Sequence, residues 1–580
     1  MNAVVFAAAA LGLLLQASPD ASAGASGRES SPTIVLDASA FLDEIPKGHI
    51  ITDAAALGVP WLFNNTGLEM RSRSNYVIRV QVPEAGTYHL FARSHGRARS
   101  GFRVAIGDRV IQTDLGDEPL RFERAGVFEL PAGTVDVRLM RIEGRPVLDV
   151  LVLTKNPGFR EEDLLPLQLH EEVELVREYR IPRSRVVKFG DVTGDGAMDF
   201  MVLTPEYSAH VFDHDGRELW SYRAPAEGEA ARAEFEAPGA IWDLDRDGRA
   251  EVIHWRFIDG KEWLVVADGR TGEIRRKTEW PTQPLPHVYN NFRIAIGRLR
   301  PGYPSHIVVL TDMGGTISVA AYDAELNQLW NHVESKKKDH LGHYVYPVDL
   351  DGDGVDEVVV GSLVLDANGR EIWNRFDLFY DNHDHVDSYR FIDLDGDGRV
   401  EAVAAHSEVG VVAYRALTGE LLWQNMAEHA QQIEVGDFLD GVPGPHVAIG
   451  ARTYGNRQAG EPYLSAQVHW FDAKGNLLSK WPGNPLNGNP VFVKGDWRGD
   501  GKEELFWYKF RLTRAGKGEL YFGEPVFHMF DFLGDGAEEV ITLGDGVLRV
   551  YGYRGADHRG PRRERSPDYL KERVTNHTHY

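Results

Sequence analysis

The stretch PVDLDGDGVDEVVVG, residues 347–361, places Asp349, Asp351, Asp353, Asp356 and Glu357 between two apolar runs. In a D-x-D-x-D-G-x-x-E loop the side chains at positions one, three, five and nine, with the carbonyl at seven, can surround one hard cation. The glycine at six permits the sharp turn. Calcium suits this oxygen-only set, whereas zinc favours His or Cys and magnesium a stricter octahedron. Three ladders are complete: Asp243, Asp245, Asp247, Glu251; Asp349, Asp351, Asp353, Glu357; and Asp393, Asp395, Asp397, Glu401. A fourth, Asp191, Thr193, Asp195 and Asp199, is less acidic, and the copies at Asp496 and Asp531 carry Arg498 and Leu533 at position three. Asp and Gly also favour tight turns without metal, but carboxylates this close repel one another unless a proton or cation neutralises them. Several calcium ions in a structural role are therefore expected.

A second set of residues is rich in histidine. Counted back from the aligned loop starts, Asn290, His385 and His429 each stand eight residues before Arg298, Asp393 and Asp437, while His343 and Asp387 each stand six before Asp349 and Asp393. Arg293 lies in the same kind of segment, and Arg452, Tyr454 and Lys509 fall in loops between second and third strands. Equal offsets in a repeating architecture predict one ring of side chains around a central mouth, on the face away from the acidic loops.

The elements that position both sets follow from a repeat. Eight copies, starting at Asp191, Asp243, Arg298, Asp349, Asp393, Asp437, Asp496 and Asp531, recur at a mean of about 49 residues, the length of a four-stranded unit. Each runs as an apolar strand, the acidic loop or its degenerate form, a strand such as EVVVG, a third strand, and a fourth bearing Trp. The fold class is thus all-β, with a β-propeller of eight blades, or seven since the last interval is short, over residues 165–580. The last unit lacks a clear fourth strand and VELVREYRI precedes the first, so this N-terminal strand is predicted to close the ring. Before it, residues 32–156 alternate with period two between Pro/Gly turns, which predicts an antiparallel β-sandwich of jelly-roll type.

Residues 1–23 read as a signal peptide, with an apolar core from Val4 to Leu15 and small residues at Ala21 and Ala23. The expected location is secreted or periplasmic. With no cysteine, packing and metal must stabilise an exported fold. A formal net charge of -24 argues against nucleic acid or an anionic membrane as partner and favours cations. A monomer is expected.

Two resemblances attach to these residues. VPEAGTYHLFAR, LPAG and LDVLVLT resemble carbohydrate-binding modules of bacterial polysaccharide-degrading enzymes, with Trp61 and Phe63 as candidates to stack on a sugar. GHYVYPVDLDGDGVDEVVVGSLVLDANGREIWN, NHDHVD and HAQQIEVGDFLDGVPGPHVAIGAR resemble the propeller of rhamnogalacturonan lyases of polysaccharide lyase family 11, and the style of ulvan and rhamnose-glucuronate lyases. NHDHVD stands where family 11 usually carries a His-Gly-Asp stretch. The resemblance implies β-elimination on an acidic, rhamnose-rich polysaccharide: a base removes the proton beside the uronate carboxylate, cations neutralise that carboxylate, and the oxygen at C4 departs. It implies His385 or His343 as base, Tyr454 as acid, Arg293, Arg452 and Lys509 as carboxylate neutralisers, and Asn290, Asp387 and His429 as further substrate contacts. The alternatives are a calcium-dependent glycan-binding or adhesion propeller, a quinoprotein dehydrogenase suggested by ALTGELLWQ, and a glycoside hydrolase using Asp387 with Glu408 or Glu428.

Overall fold

The structure is a computed structural model. It describes residues 32–577 except 39, 42–47, 52–61, 64–66, 97–98, 118–119, 162, 165–168, 171, 185, 226–236, 282–290, 313–315, 336–341, 379–383, 428, 454–464, 485–490, 545 and 559–563. The signal segment, Trp61, Asn290, Glu428 and Tyr454 lie outside the described residues.

Period-two alternation becomes two antiparallel sheets at the N-terminal end. Tyr76–Val82 alternates buried and more exposed positions on one sheet, while the continuous apolar run Val147–Thr154 is buried throughout and sits inside the other. Tyr76, Val80 and Leu139 from one sheet share a core with Leu68, Leu90 and Leu151 from the other. Phe63, a candidate sugar-stacking residue, is instead core. It is fully buried with Phe91, Val150 and Phe159, because its backbone N–H is anchored 2.7 Å from the buried Asp149 carboxylate.

Eight four-stranded antiparallel sheets follow, spanning 186–222, 239–279, 291–335, 345–374, 386–425, 429–484, 492–520 and 526–553. The last holds only three strands of its own. Its fourth is Val173–Arg180, paired antiparallel with Val547–Tyr553, as the sequence predicts. The degenerate copies at Arg298 and Asp437 form complete sheets too, since the apolar strands and not the carboxylates drive sheet formation. First strands of neighbouring sheets pack beside one another, as Val186–Gly190 does with Gly239–Trp242. Fourth-strand tryptophans join sheet to sheet: the indole N–H groups of Trp220, Trp330, Trp373 and Trp423 donate to Gly269, Ala367, Ala416 and Ala473 of the next sheet at 2.8–3.0 Å.

The apolar cluster of the N-terminal sheets continues without a break into Phe438, Trp481, Trp507 and Phe510 of the sheets at 429–520. The two parts therefore share a core. No helix among the described residues is long and apolar enough to cross a membrane.

A short helical segment, 567–575, with Asn576 and His577 after it, reaches several sheets at once. Arg573 donates to the Lys494 carbonyl and to Glu538, Asn576 bonds the Ile296 backbone in both directions, and the His577 ring stacks on His528 at 4.0 Å. Lys571 Nζ sits 2.7 and 2.8 Å from the two oxygens of Asp356, and both side chains are at most 1% exposed. Lys571→Ala strands a buried carboxylate and is expected to cost about 3–5 kcal/mol, measured as a lowered denaturation midpoint. An unchanged midpoint would contradict a pinning role for this segment.

Candidate functional site

The matched offsets bring four residues together. His343 follows a bridge between Gly342 and Val386, and its N–H donates to the Val386 carbonyl at 3.2 Å. His385 precedes the strand Val386–Ile392, and Asp387 is its second residue. Both imidazole Nε2 atoms lie 3.5 Å from Asp387 Oδ1, and the two rings meet edge to face at 4.6 Å. The His429 ring, at the start of His429–Gly436, lies 6.2 Å from that of His385.

Asp387 is fully buried, yet neither of its oxygens has a hydrogen-bond partner among the described residues. A buried carboxylate in that state is costly unless a proton or cation attends it. The ligand atoms of His343, His385 and Asp387 lie within 4.8 Å of one another. Two imidazole nitrogens and a carboxylate suit a divalent ion of zinc type better than calcium.

A supporting layer holds the histidines in place. Ser407 Oγ lies 3.3 Å from His385 Nδ1, accepts the His385 N–H at 3.2 Å and donates to Asp384 at 3.0 Å. Asp384 also accepts the Glu408 N–H at 3.0 Å, and Glu408 Oε1 lies 3.4 Å from His429 Nδ1. Fully buried His406 contacts Tyr414 Oη at 3.0 Å and Ser362 Oγ at 3.4 Å. Asp384 and Ser407, as positioning groups, are not among the residues that the sequence spacing marks. Asp384 lies within NHDHVD and could have been singled out, but Ser407 has no local signal because its partner is 22 residues away.

Cationic side chains stand at the margin. Arg293 is buried with its guanidinium 4.8 Å from the ring centroid of Tyr344, the residue after His343. Arg452 lies directly across the strand pair from His429, so the two side chains share a sheet face. Lys509 is placed elsewhere, beneath the N-terminal sheets. It is 1% exposed, 5.5 Å from the Tyr508 ring, and burial pushes its ammonium down to about 7 against the opposing charge of Asp37. That position reassigns it from substrate contact to a residue of the shared core.

The acidic loops occupy the opposite ends of the same first strands. His385 precedes and Asp393 follows the strand Val386–Ile392, whose seven residues span about 20 Å. The position-six glycines 248, 354 and 398 have φ of 87, 84 and 85°, the left-handed turn that the pattern requires. Position-nine carboxylates turn inward: Glu251, Glu357 and Glu401 each accept the N–H of the residue after the loop start, at 2.9, 3.0 and 2.7 Å. Burial, reinforced by the neighbouring aspartates, pushes Glu251 and Glu357 up to about 7.

The loops differ in one respect invisible to the motif. Arg275 reaches Glu251 and Asp245 in the first, and Arg415 reaches Glu401, Asp395 and Asp397 in the third. No arginine occupies that place in the loop from Asp349 among the described residues. A cavity of about 490 Å³ lies along the same first strands, bounded by Tyr346, Tyr389, Arg390 and Glu434 and closed by Glu572 and Arg573 of the C-terminal segment.

No family model matches the chain. In sequence it is similar to rhamnogalacturonan endolyase YesW of Bacillus subtilis (strain 168), 23% identical over 408 residues that make up 55% of this chain and 64% of the relative. It is also similar to rhamnogalacturonan exolyase YesX of the same organism, 24% identical over 328 residues, 44% of this chain and 52% of the relative. The sequence matches thus span less than two thirds of either curated relative. Among solved structures, rhamnogalacturonan lyase YesW superposes with a TM-score of 0.51 at 19% identity, covering 82% of this chain and 90% of the other. Bacillus licheniformis rhamnogalacturonan lyase PL11 gives 0.51 at 17% identity, with 83% and 92% covered. The chain is homologous in sequence to rhamnogalacturonan lyases and has their fold.

Proposed function

We propose that this protein is an exported polysaccharide lyase that cleaves a rhamnogalacturonan-type uronate polysaccharide by β-elimination. The eight sheets are read as the blades of a propeller, the N-terminal sheets as a carbohydrate-binding-module-like sandwich, and calcium as the brace of the acidic loops. The observation that carries the reading is buried Asp387, without a hydrogen bond among the described residues, between His343 and His385.

The elimination needs a base at the proton beside the carboxylate and positive charge at the carboxylate itself. His385 is the better placed base, because it is the more exposed of the two imidazoles and Ser407 and Asp387 fix its ring. Arg452, across the strand pair from His429, and Arg293, over the ring of Tyr344 beside His343, are assigned to the carboxylate. Tyr454, two residues beyond Arg452, keeps the role of acid toward the departing oxygen.

A second reading is favoured by the same bare oxygens of Asp387: His343, His385 and Asp387 hold a divalent cation. Such an ion would supply Lewis-acid charge to the substrate carboxylate. The base in that case is His429, whose Nδ1 faces Glu408.

Incubation with rhamnogalacturonan, ulvan and other uronate polysaccharides, read in parallel for reducing ends and for ultraviolet absorbance of a conjugated uronate, tests the class. New ends with matching absorbance are expected on one substrate. Ends without absorbance would indicate hydrolysis, and binding without new ends an adhesion propeller.

A further inference from the structure

The copy of the acidic loop that starts at Asp531 has lost its third carboxylate to Leu533. An imidazole from the turn after the last strand approaches the loop instead. His558 Nδ1 lies 2.9 Å from Asp535 Oδ2, loop position five, and 3.5 Å from Glu539 Oε1, position nine. Its Nε2 is 2.9 Å from the Tyr553 carbonyl, which can only accept, so Nε2 carries the proton. In the neutral ring Nδ1 is then a lone pair directed at two carboxylates, an arrangement that requires a cation between them or a second proton on the ring.

Three further observations point to a cation. Glu539 is fully buried, its Oε2 accepts the Leu533 N–H at 3.0 Å, and Oε1 has no hydrogen-bond partner among the described residues. Gly552 leaves the ring its place, since a Cβ there would come within 2.2 Å of His558 Nε2. The separations of 2.9 and 3.5 Å bracket the ~3.3 Å between ligands of a tetrahedral ion with bonds of about 2.0–2.1 Å. A histidine whose other nitrogen donates to a backbone carbonyl is the usual arrangement of a metal-bound imidazole.

We propose that Asp535, Glu539 and His558 form a structural site for a divalent transition metal of the zinc class, made from a calcium-type loop by exchanging one carboxylate for an imidazole. The remaining ladder carboxylate, Asp531, accepts the Gly534 and Gly536 N–H groups, as the first aspartates of the other loops accept theirs, and the Arg565 guanidinium stands 4.0 Å away.

The test uses the full chain carrying His343→Ala and His385→Ala, which removes the other histidine-containing cluster from the count. With calcium in excess, cobalt(II) is titrated and followed by its visible absorption and by elemental analysis after desalting. One tightly held equivalent per chain is expected, together with a rise in melting temperature. Adding His558→Gln should abolish both. Should that variant fail to fold, Glu539→Gln supplies the same comparison. Absence of bound cobalt in the starting protein, or its retention after either substitution, would overturn the site and leave His558 as a protonated bridge between two carboxylates.

Discussion

His385→Ala is expected to lower turnover on the cleaved polysaccharide by about 10²- to 10⁴-fold, the range for losing a positioned proton-transfer group. His343→Ala should fall in a similar range, because both rings contact Asp387 Oδ1 at 3.5 Å and support each other edge to face. Asp387→Asn separates the two readings of the cluster. If the carboxylate orients a base, the amide lowers turnover, metal content stays unchanged and no added ion restores activity. If it is a ligand, the same substitution releases a bound ion, and high zinc restores part of the rate. Full activity in both single histidine variants would remove them from the chemistry and return the choice to His429 or to a protein that binds without cleaving.

Calcium chelation at pH 7.5 should lower the melting temperature by several degrees, and far less at pH 5. Each ion bound only by the folded chain adds about 2.7 kcal/mol when present at about 100 times its dissociation constant. The pH dependence follows from Glu251 and Glu357, raised from 4.5 to about 7 in the ion-free fold by burial and by adjacent aspartates. A carboxyl with a raised folded value binds its proton more readily folded than unfolded. The chelated chain is therefore more stable at pH 5 and loses that stability as pH climbs from about 4.5 through 7. Calcium removes the penalty at the upper end, where the carboxylates are ionised. Because Arg275 and Arg415 already enter the first and third loops, Asp351→Asn should abolish more of the calcium response than Asp395→Asn. Identical melting with and without chelator at both pH values would exclude a bracing role for calcium.

The His343, His385, Asp387 and His429 grouping is legible in the sequence because it depends on register. A residue six or eight places before the loop reaches the same level in every sheet, so spacing alone predicts the meeting. Lys509 escaped that logic. Its surroundings are set by Asp37, more than 400 residues earlier, and by sheets that cover it from another part of the chain. The same holds for Lys571, whose partner Asp356 looked like one more loop carboxylate, and for His558, which follows the last strand with no motif around it.

The amino-acid sequence by itself determined the strand repeat, the turn geometry of the acidic loops and the closing strand Val173–Arg180. All three follow from short-range alternation, glycine placement and the count of strands per repeat. Only the tertiary structure decided which charges are answered by other charges. Arg275 and Arg415 enter two of the loops, Lys571 neutralises Asp356, and among the described residues the oxygens of Asp387 have no hydrogen bond. The reason is that Coulomb and desolvation energies depend on distance through space and on burial, and neither quantity is written in the order of residues.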